Sequence, residues 1–469
     1  MNKILARVKQ SLGVILLVGT LVTTGLGCNA AVTAKPVSAK PVTLSVWGVY
    51  DDEDAYSDIF KAYQALHPNV SFDFRKFRPE EYEKELLNAF AEDRGPDVYM
   101  VHNTWMHAYE AKLLPMPKST KVAFREIQGV KKDPVWVVKT VPSLSLTQVQ
   151  NQFIDQVGHD VIINGPVAGT DNQYANQVYG LPLSVDTLGL YYNKDALNAA
   201  GIPTPAQSWT ELQDHVKRLT QYDSQGKLKR PAVGLGTFQN VNRALDIISL
   251  LMMQNGTQMS DDNGNPSFQR MPAAMTRDIN PGLEALTFYT DFANPTKDVF
   301  TWDDTQPNSL DAFVAGVTAY YFGYSADLAT IRAQAPKLNF GITTVPQIDP
   351  QNFPRNFASY WNYGVAKKSK YPDLSWNLVQ FMTSEAQAKS YLTKAARPTA
   401  LRSLIPSQIP DGDLGPFASE LLTAVSWYHG SDVQATMGAF SDLVKSVLAG
   451  TEPQQALNLA AEVVGQTIH

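Results

Sequence analysis

At 469 residues the chain exceeds what one apolar core usually supports, so two lobes are expected. Its hydrophobic content of 44% and charged content of 18% are ordinary for a soluble globular body. Formal charge is −6, and because the first 27 residues carry Lys3, Arg7 and Lys9 without an acid, the remainder stands at −9. A mildly acidic body argues against nucleic acid as the partner. Eight Trp and twenty Tyr suit flat apolar ligands such as sugar rings, and equally a large core.

Cys28 is the only cysteine, which excludes an intramolecular disulfide and a multi-cysteine metal cluster. It follows a basic start and an apolar run over 12–22, the layout of a secretory signal too short to span a bilayer. Gly27 before Cys28 resembles the lipobox of bacterial lipoproteins, with Gly25 where leucine is usual and Leu26 one place late. That resemblance implies lipidation of Cys28; an ordinary cleaved signal with a chance cysteine is the alternative. Residues 29–41, small and proline-bearing, read as a flexible tether.

Val42, Leu44 and Val46 alternate up to Trp47, predicting a first strand. Ala55, Ile59, Tyr63 and Leu66 then keep a helical spacing that ends near Pro68. Val70, Phe72 and Phe74 give a second strand, Pro79 opens a helix carrying Tyr82, Leu86 and Phe90, and 97–101 reads as a third strand. Such β-α-β-α-β alternation predicts a parallel sheet whose ligand gathers outside the carboxyl ends of its strands. The loops carrying Trp47, Tyr50 and Asp51, and His102, Asn103 and Trp105, should therefore face one cleft. Residues 115–175 are less regular, with a basic patch of Lys118, Lys121, Arg125, Lys131 and Lys132 and a helix over 147–157; they read as an insertion.

Residues 180–195, GLPLSVDTLGLYYNKD, hold a proline-stiffened bend and a strand in which Leu188, Leu190 and Tyr192 alternate with Gly189 and Tyr191. Ser208 and Glu211 form a capping box for the next helix. A strand over 232–235, helices over 242–254, 282–292 and 309–315, and a strand over 317–322 continue an α/β pattern in a second lobe. Residues 357–366 read as the return crossing, helices over 372–383 and 384–392 follow, and helices near 416–425, 434–448 and 453–466 close the chain.

The stretch 180–195 resembles a hallmark of the extracellular solute-binding proteins of ABC importers, the maltose-binding-like family, G-L-P-x-x-x-D-T-x-x-L-Y-Y-N-K-D. AFVAGVTAYYFGY at 312–324 is similar to the family's A-F-x-x-G-x-x-A-M-x-x-x-G block, with Tyr320 in place of Met, and Arg397-Pro398-Thr399 resembles its R-x-P-x-R signature. The resemblance covers roughly 42–115 and 178–469. It implies a two-lobed α/β fold of the type II periplasmic-binding-protein kind, each lobe a mixed sheet flanked by helices, with the ligand cleft between lobes. The first lobe would be 42–184 plus about 357–398, the second about 185–356 plus 399–469.

Convergent catalytic or metal-binding groups are not legible. Asp51, Asp52, Glu53 and Asp54 precede a helix, where acids favour the positive end of its dipole. His102 and His107 lack zinc-type spacing, and no P-loop, G-x-S-x-G or dinucleotide fingerprint appears. A binding cleft is better supplied. Trp47, Tyr50, Trp105, Tyr324, Tyr360 and Trp361 fall at expected strand ends or crossings, where aromatic faces stack on pyranose rings. Asp51, Asn103, Asp186, Thr187, Asn362 and Arg397 offer hydrogen bonds to hydroxyls, and a charge amid LPLSVDTLGL is costly to bury without a partner.

The sequence thus points to a monomeric, lipid-anchored extracellular binding protein, needing no cofactor, that captures a carbohydrate by hinge closure and delivers it to an ABC permease. Three other readings stay open at this level. One is the same scaffold with a peptide, polyamine or anion; another is a glycoside-processing enzyme using Asp51 or Asp52 with Asp186. The third is an adhesin working through residues 115–175.

Overall fold

A computed structural model describes residues 40–351 and 353–468. The expected signal, Cys28 and nearly all of the tether lie outside them. Two large apolar clusters divide the body, one built around Leu44, Val46, Val98 and Trp376, the other around Leu190, Trp209, Ile247 and Trp302, and a small third gathers Tyr191, Phe313 and Tyr321.

The first lobe carries a five-stranded sheet in the order Val70–Phe77, Val42–Val49, Val98–His102, Trp361–Ala366, Leu113–Leu114. The first three strands are parallel, as the β-α-β-α-β pattern requires, and the returning strand Trp361–Ala366 runs antiparallel to Val98–His102, pairing Trp361 with His102. Helices Glu53–Leu66 and Pro79–Ala91 make the crossovers, and Pro372–Met382 and Glu385–Ala395 pack beside them. The second lobe centres on Gly189–Asn193, antiparallel to both Tyr320–Gly323 and Phe340–Thr344. Ala232 supplies its carbonyl to the amides of Ala319 and Tyr320, but the expected strand over 232–235 reduces to a single bridge from Val233 to Tyr320.

Three segments cross between the lobes and pair with one another. Asp186–Thr187 is antiparallel to Ala358–Ser359, while Asn356–Phe357 is parallel to Ala424–Val425. Past residue 398, Leu401 bridges Phe153, Ala400 O accepts from Ile154 N, and Leu401, Leu404, Ile405, Ala418 and Leu421 join the first core, while Gly415–Glu420 also packs on the second-lobe strand Phe340–Thr344. The helix expected over 147–157 is two helices, Leu146–Gln152 and Asp155–Val161, broken because Phe153 and Ile154 turn extended to meet that segment. The remainder of 115–175 is two hairpins, Ser119–Gln128 with Asp133–Pro142 and Ile162–Pro166 with Tyr174–Val178. Among the described residues, no helix is long and apolar enough to cross a membrane.

Candidate ligand cleft between the lobes

The ends of the first and third strands do open on one cleft. A cavity of about 490 Å³ is walled on the first lobe by Tyr50, His102, Trp105 and Trp361, and on the second by Phe238, Arg243, Asp246 and Trp427. A smaller recess of about 60 Å³ continues from it past Asp51, Asp186, Tyr324, Tyr360 and Arg397, sharing Tyr50, Arg243 and Trp361. The larger volume lies within the range of small-molecule sites.

Trp361 is the centre of the aromatic wall. It meets Trp105 edge-on at 5.1 Å and 81°, His102 at 5.1 Å, Tyr82 at 5.6 Å and Tyr50 at 6.4 Å. It opens the strand Trp361–Ala366, whose pairing with His102 fixes it at the sheet's carboxyl edge. Tyr50 follows the last residue of the first strand with φ of 64°, a left-handed conformation rare outside glycine that turns its ring between Trp361 and Arg397. Among the described residues the Tyr50 hydroxyl has no hydrogen-bond partner.

The charged groups divide into engaged and free. Asp51 accepts from Arg397 Nη2 at 2.9 Å and from the Tyr391 hydroxyl at 2.6 Å, with both members of the ion pair about one-eighth exposed. Asp186 accepts from its neighbour Thr187 N and from Ser325 N, Ser325 Oγ and Ala326 N at 2.6–3.3 Å, which ties the first crossing to the loop after Tyr320–Gly323. Burial nevertheless pushes its carboxyl up to about 6. His102 accepts from Thr104 N and pairs with Ser359 Oγ at 3.1 Å; burial first, then the Arg243 guanidinium, push its imidazole down to about 3, so it is neutral.

Arg243 is different. It precedes the helix Ala244–Gln254 in a left-handed conformation, φ 63°, and its guanidinium lies 4.9 Å from the centre of the Tyr324 ring. Among the described residues it has no hydrogen-bond acceptor and no ion-pair partner. The Asp327 and Asp246 carboxylates favour its charge from a distance, but its five N–H donors at the cavity wall have no acceptor among the described residues and are open to a ligand. Sequence reasoning passed over it, although a cation beside a helix N-terminus, against the dipole, was a usable signal.

Four expected contacts lie off the cleft. Trp47 is 3% exposed and packs 4.6 Å from Phe77 under Arg75, because its strand is central and covered on both faces. Asn103 is buried and donates to Asp160 and Ser426. Thr187 donates to Phe417 O at 3.1 Å, and Asn362 is enclosed beneath the Gly180 turn. Tyr360 reaches the recess but its hydroxyl is committed to Asp160 at 2.5 Å. Tyr324 likewise lines the recess while donating to Asp246 at 2.9 Å. Trp427, read as packing, does pack on Phe268 and donates to Ser249, yet also reaches the larger cavity.

Two α/β lobes joined by three crossings, with an aromatic cavity at their junction, define a protein that encloses a small solute. The chain belongs to the bacterial extracellular solute-binding proteins, whose family model matches residues 50–389. It is similar to the galactooligosaccharide-binding protein of Bacillus subtilis, 22% identical over 68% of this chain and 70% of that one. In fold it resembles the cyclic alpha-maltosyl-1,6-maltose binding protein of Arthrobacter globiformis, with a TM-score of 0.68, 17% identity and coverage of 91% of this chain and 99% of that one. A Thermotoga lettingae ABC transporter solute-binding protein, solved bound to alpha-D-tagatose, aligns with a TM-score of 0.64 and 18% identity over 92% of this chain and 100% of that one.

Proposed function

We propose that the chain captures a sugar or oligosaccharide in this cleft and delivers it to an ABC permease, held at the outer face of the membrane through Cys28. The observation that carries the reading is the pairing of an aromatic wall, Tyr50, Trp105 and Trp361, with Arg243 on the other lobe, whose N–H donors have no acceptor among the described residues. Rings stack on the C–H faces of a pyranose while the guanidinium donates to its hydroxyls. Because the two groups sit on different lobes, ligand contacts are complete only when the lobes close, and ligand shifts the population towards closure. The ligands for which the related proteins are named or with which they were solved, galactooligosaccharide, cyclic alpha-maltosyl-1,6-maltose and alpha-D-tagatose, support a carbohydrate.

The competing solutes fit less well. A polyamine needs free carboxylates, and Asp51, Asp186 and Asp246 are each hydrogen-bonded within the protein. An anion would favour clustered free arginines, and Arg397 is paired. The same engagement of Asp51 and Asp186 disfavours a glycosidase pair, since a general acid needs a carboxyl available to its substrate.

A thermal-shift screen of the full chain against sugars, amino acids, peptides and polyamines tests the reading. Binding stabilises by RT ln(1 + [L]/Kd), about 2.7 kcal/mol at a hundredfold excess. One sugar class is expected to raise the Tm, and Arg243→Ala to lower affinity for it about 10- to 100-fold, the range of hydrogen bonds from a charged donor. A shift with polyamines or peptides and none with sugars would overturn it.

A further inference from the structure

The hairpin Ser119–Gln128 with Asp133–Pro142 pairs ten residues on each strand, and no other described strand joins either edge. One face carries Thr120, Val122 and Phe124. It lies on the first lobe, where Phe124 meets His67 at 4.5 Å, His67 Nδ1 bonds Ala123 O at 2.8 Å, and the helix Pro372–Met382 packs against the strand. The period-two alternation sends Lys121, Arg125 and Ile127 to the other face, opposite Thr140, Trp136 and Pro134. There Ile127 is 70% exposed and Val138 is 53% exposed. At the tip, Val130 stands fully exposed beside Lys131 and Lys132.

This surface is chemically unlike the rest of the chain. Residues 118–142 hold six cations and two acids in a chain of net charge −6. Glu126 is engaged by Lys139 and Gln128, whereas Lys118, Lys121, Arg125, Lys131 and Lys132 have no ion-pair partner among the described residues. The chain also enters the body beside the hairpin. Asn69 Nδ2 donates to Lys40 O at 3.2 Å and Val42 N to Asn69 O at 2.8 Å, two residues beyond the His67 that the hairpin covers. Cys28 lies twelve residues before Lys40, so a tether from it would join the body at this end of the molecule.

We infer that the outer face and tip of this hairpin form a docking surface for an anionic lipid bilayer, Ile127, Val130, Trp136 and Val138 entering the interface while the cations meet headgroup phosphates. Cations interleaved with exposed aliphatic and indole side chains are the chemistry of interfacial binding. Docking there would fix how the cleft is presented to a permease in the same membrane. It does not depend on which solute the cleft takes.

Hydrogen exchange of the full chain, with vesicles of phosphatidylcholine alone or mixed with phosphatidylglycerol, reads the hairpin locally and so separates it from binding by the leader. Amides of 125–136 are expected to slow only on the anionic vesicles, and the effect to fade at high salt. Each cation near such a surface contributes about fivefold, so Lys131→Glu with Lys132→Glu should raise the lipid needed for half-protection at least about twentyfold. Both positions are exposed, and the variant's Tm should match the parent's. Hairpin amides that exchange equally fast with and without anionic vesicles, or slow equally on neutral ones, would overturn the proposal. So would protection seen only on adding an acidic protein partner.

Discussion

Trp361→Ala is expected to weaken sugar binding about a hundredfold or more, measured by calorimetric titration. The indole is half-buried, lines the cavity and stands at steep angles to the rings of Tyr50, Tyr82, His102 and Trp105, so its position is set before any ligand arrives. A pre-positioned tryptophan at the centre of a contact surface is the type of residue whose truncation costs about 2–4 kcal/mol. Loss of the ring also leaves Trp105 and Tyr50 without their common neighbour, so the wall loses shape as well as area. Trp361→Phe keeps a smaller platform and should recover part of the affinity. An unchanged affinity in the alanine variant would place the ligand elsewhere.

The second large effect falls on stability. Asp160 is fully buried in the helix Asp155–Val161 and accepts from Gln156 Nε2 at 2.7 Å, Tyr360 OH at 2.5 Å, Asn103 Nδ2 at 3.3 Å and Ser426 Oγ at 3.3 Å, with His429 Nε2 at 2.8 Å. Tyr360 belongs to one crossing between lobes and Ser426 follows another, so one carboxylate ties both to the first lobe. Asp160→Ala removes the common acceptor and leaves several buried donors unsatisfied, a loss of about 3–5 kcal/mol. For a lobe of this size that corresponds to a Tm lower by about 10 °C in differential scanning calorimetry. A change of only a degree or two would mean that water or neighbouring acceptors replace the carboxylate.

The sequence made the scaffold legible because its signals are local. Alternating strand and helix periods gave the first-lobe sheet, and the capping box at Ser208 is formed as drawn, with Glu211 N donating to Ser208 Oγ at 3.2 Å. Within 180–195, Asp186 and Thr187 pair with Ser359 and Ala358 of the return crossing. Where function depends on contacts between distant residues, the reading weakened. Trp47 looked like a strand-end aromatic, but alternation says nothing about a central strand covered on both faces. Asn103 looked free for a ligand until Asp160, 57 residues away, claimed it. Arg243 was invisible as a cleft residue, since its position depends on a left-handed turn and on a tyrosine 81 residues later in the chain. The break at Phe153 and Ile154 followed from a partner at Ala400 and Leu401, which no local pattern announces.

Small-angle X-ray scattering of the chain, alone and with the sugar that raises its Tm, tests the central claim most directly. Contacts divided between Trp361 on one lobe and Arg243 on the other require closure on binding, so the radius of gyration should fall when sugar is added and stay unchanged with a sugar that gives no thermal shift. A sugar that binds tightly while the scattering curve stays the same would contradict capture by closure.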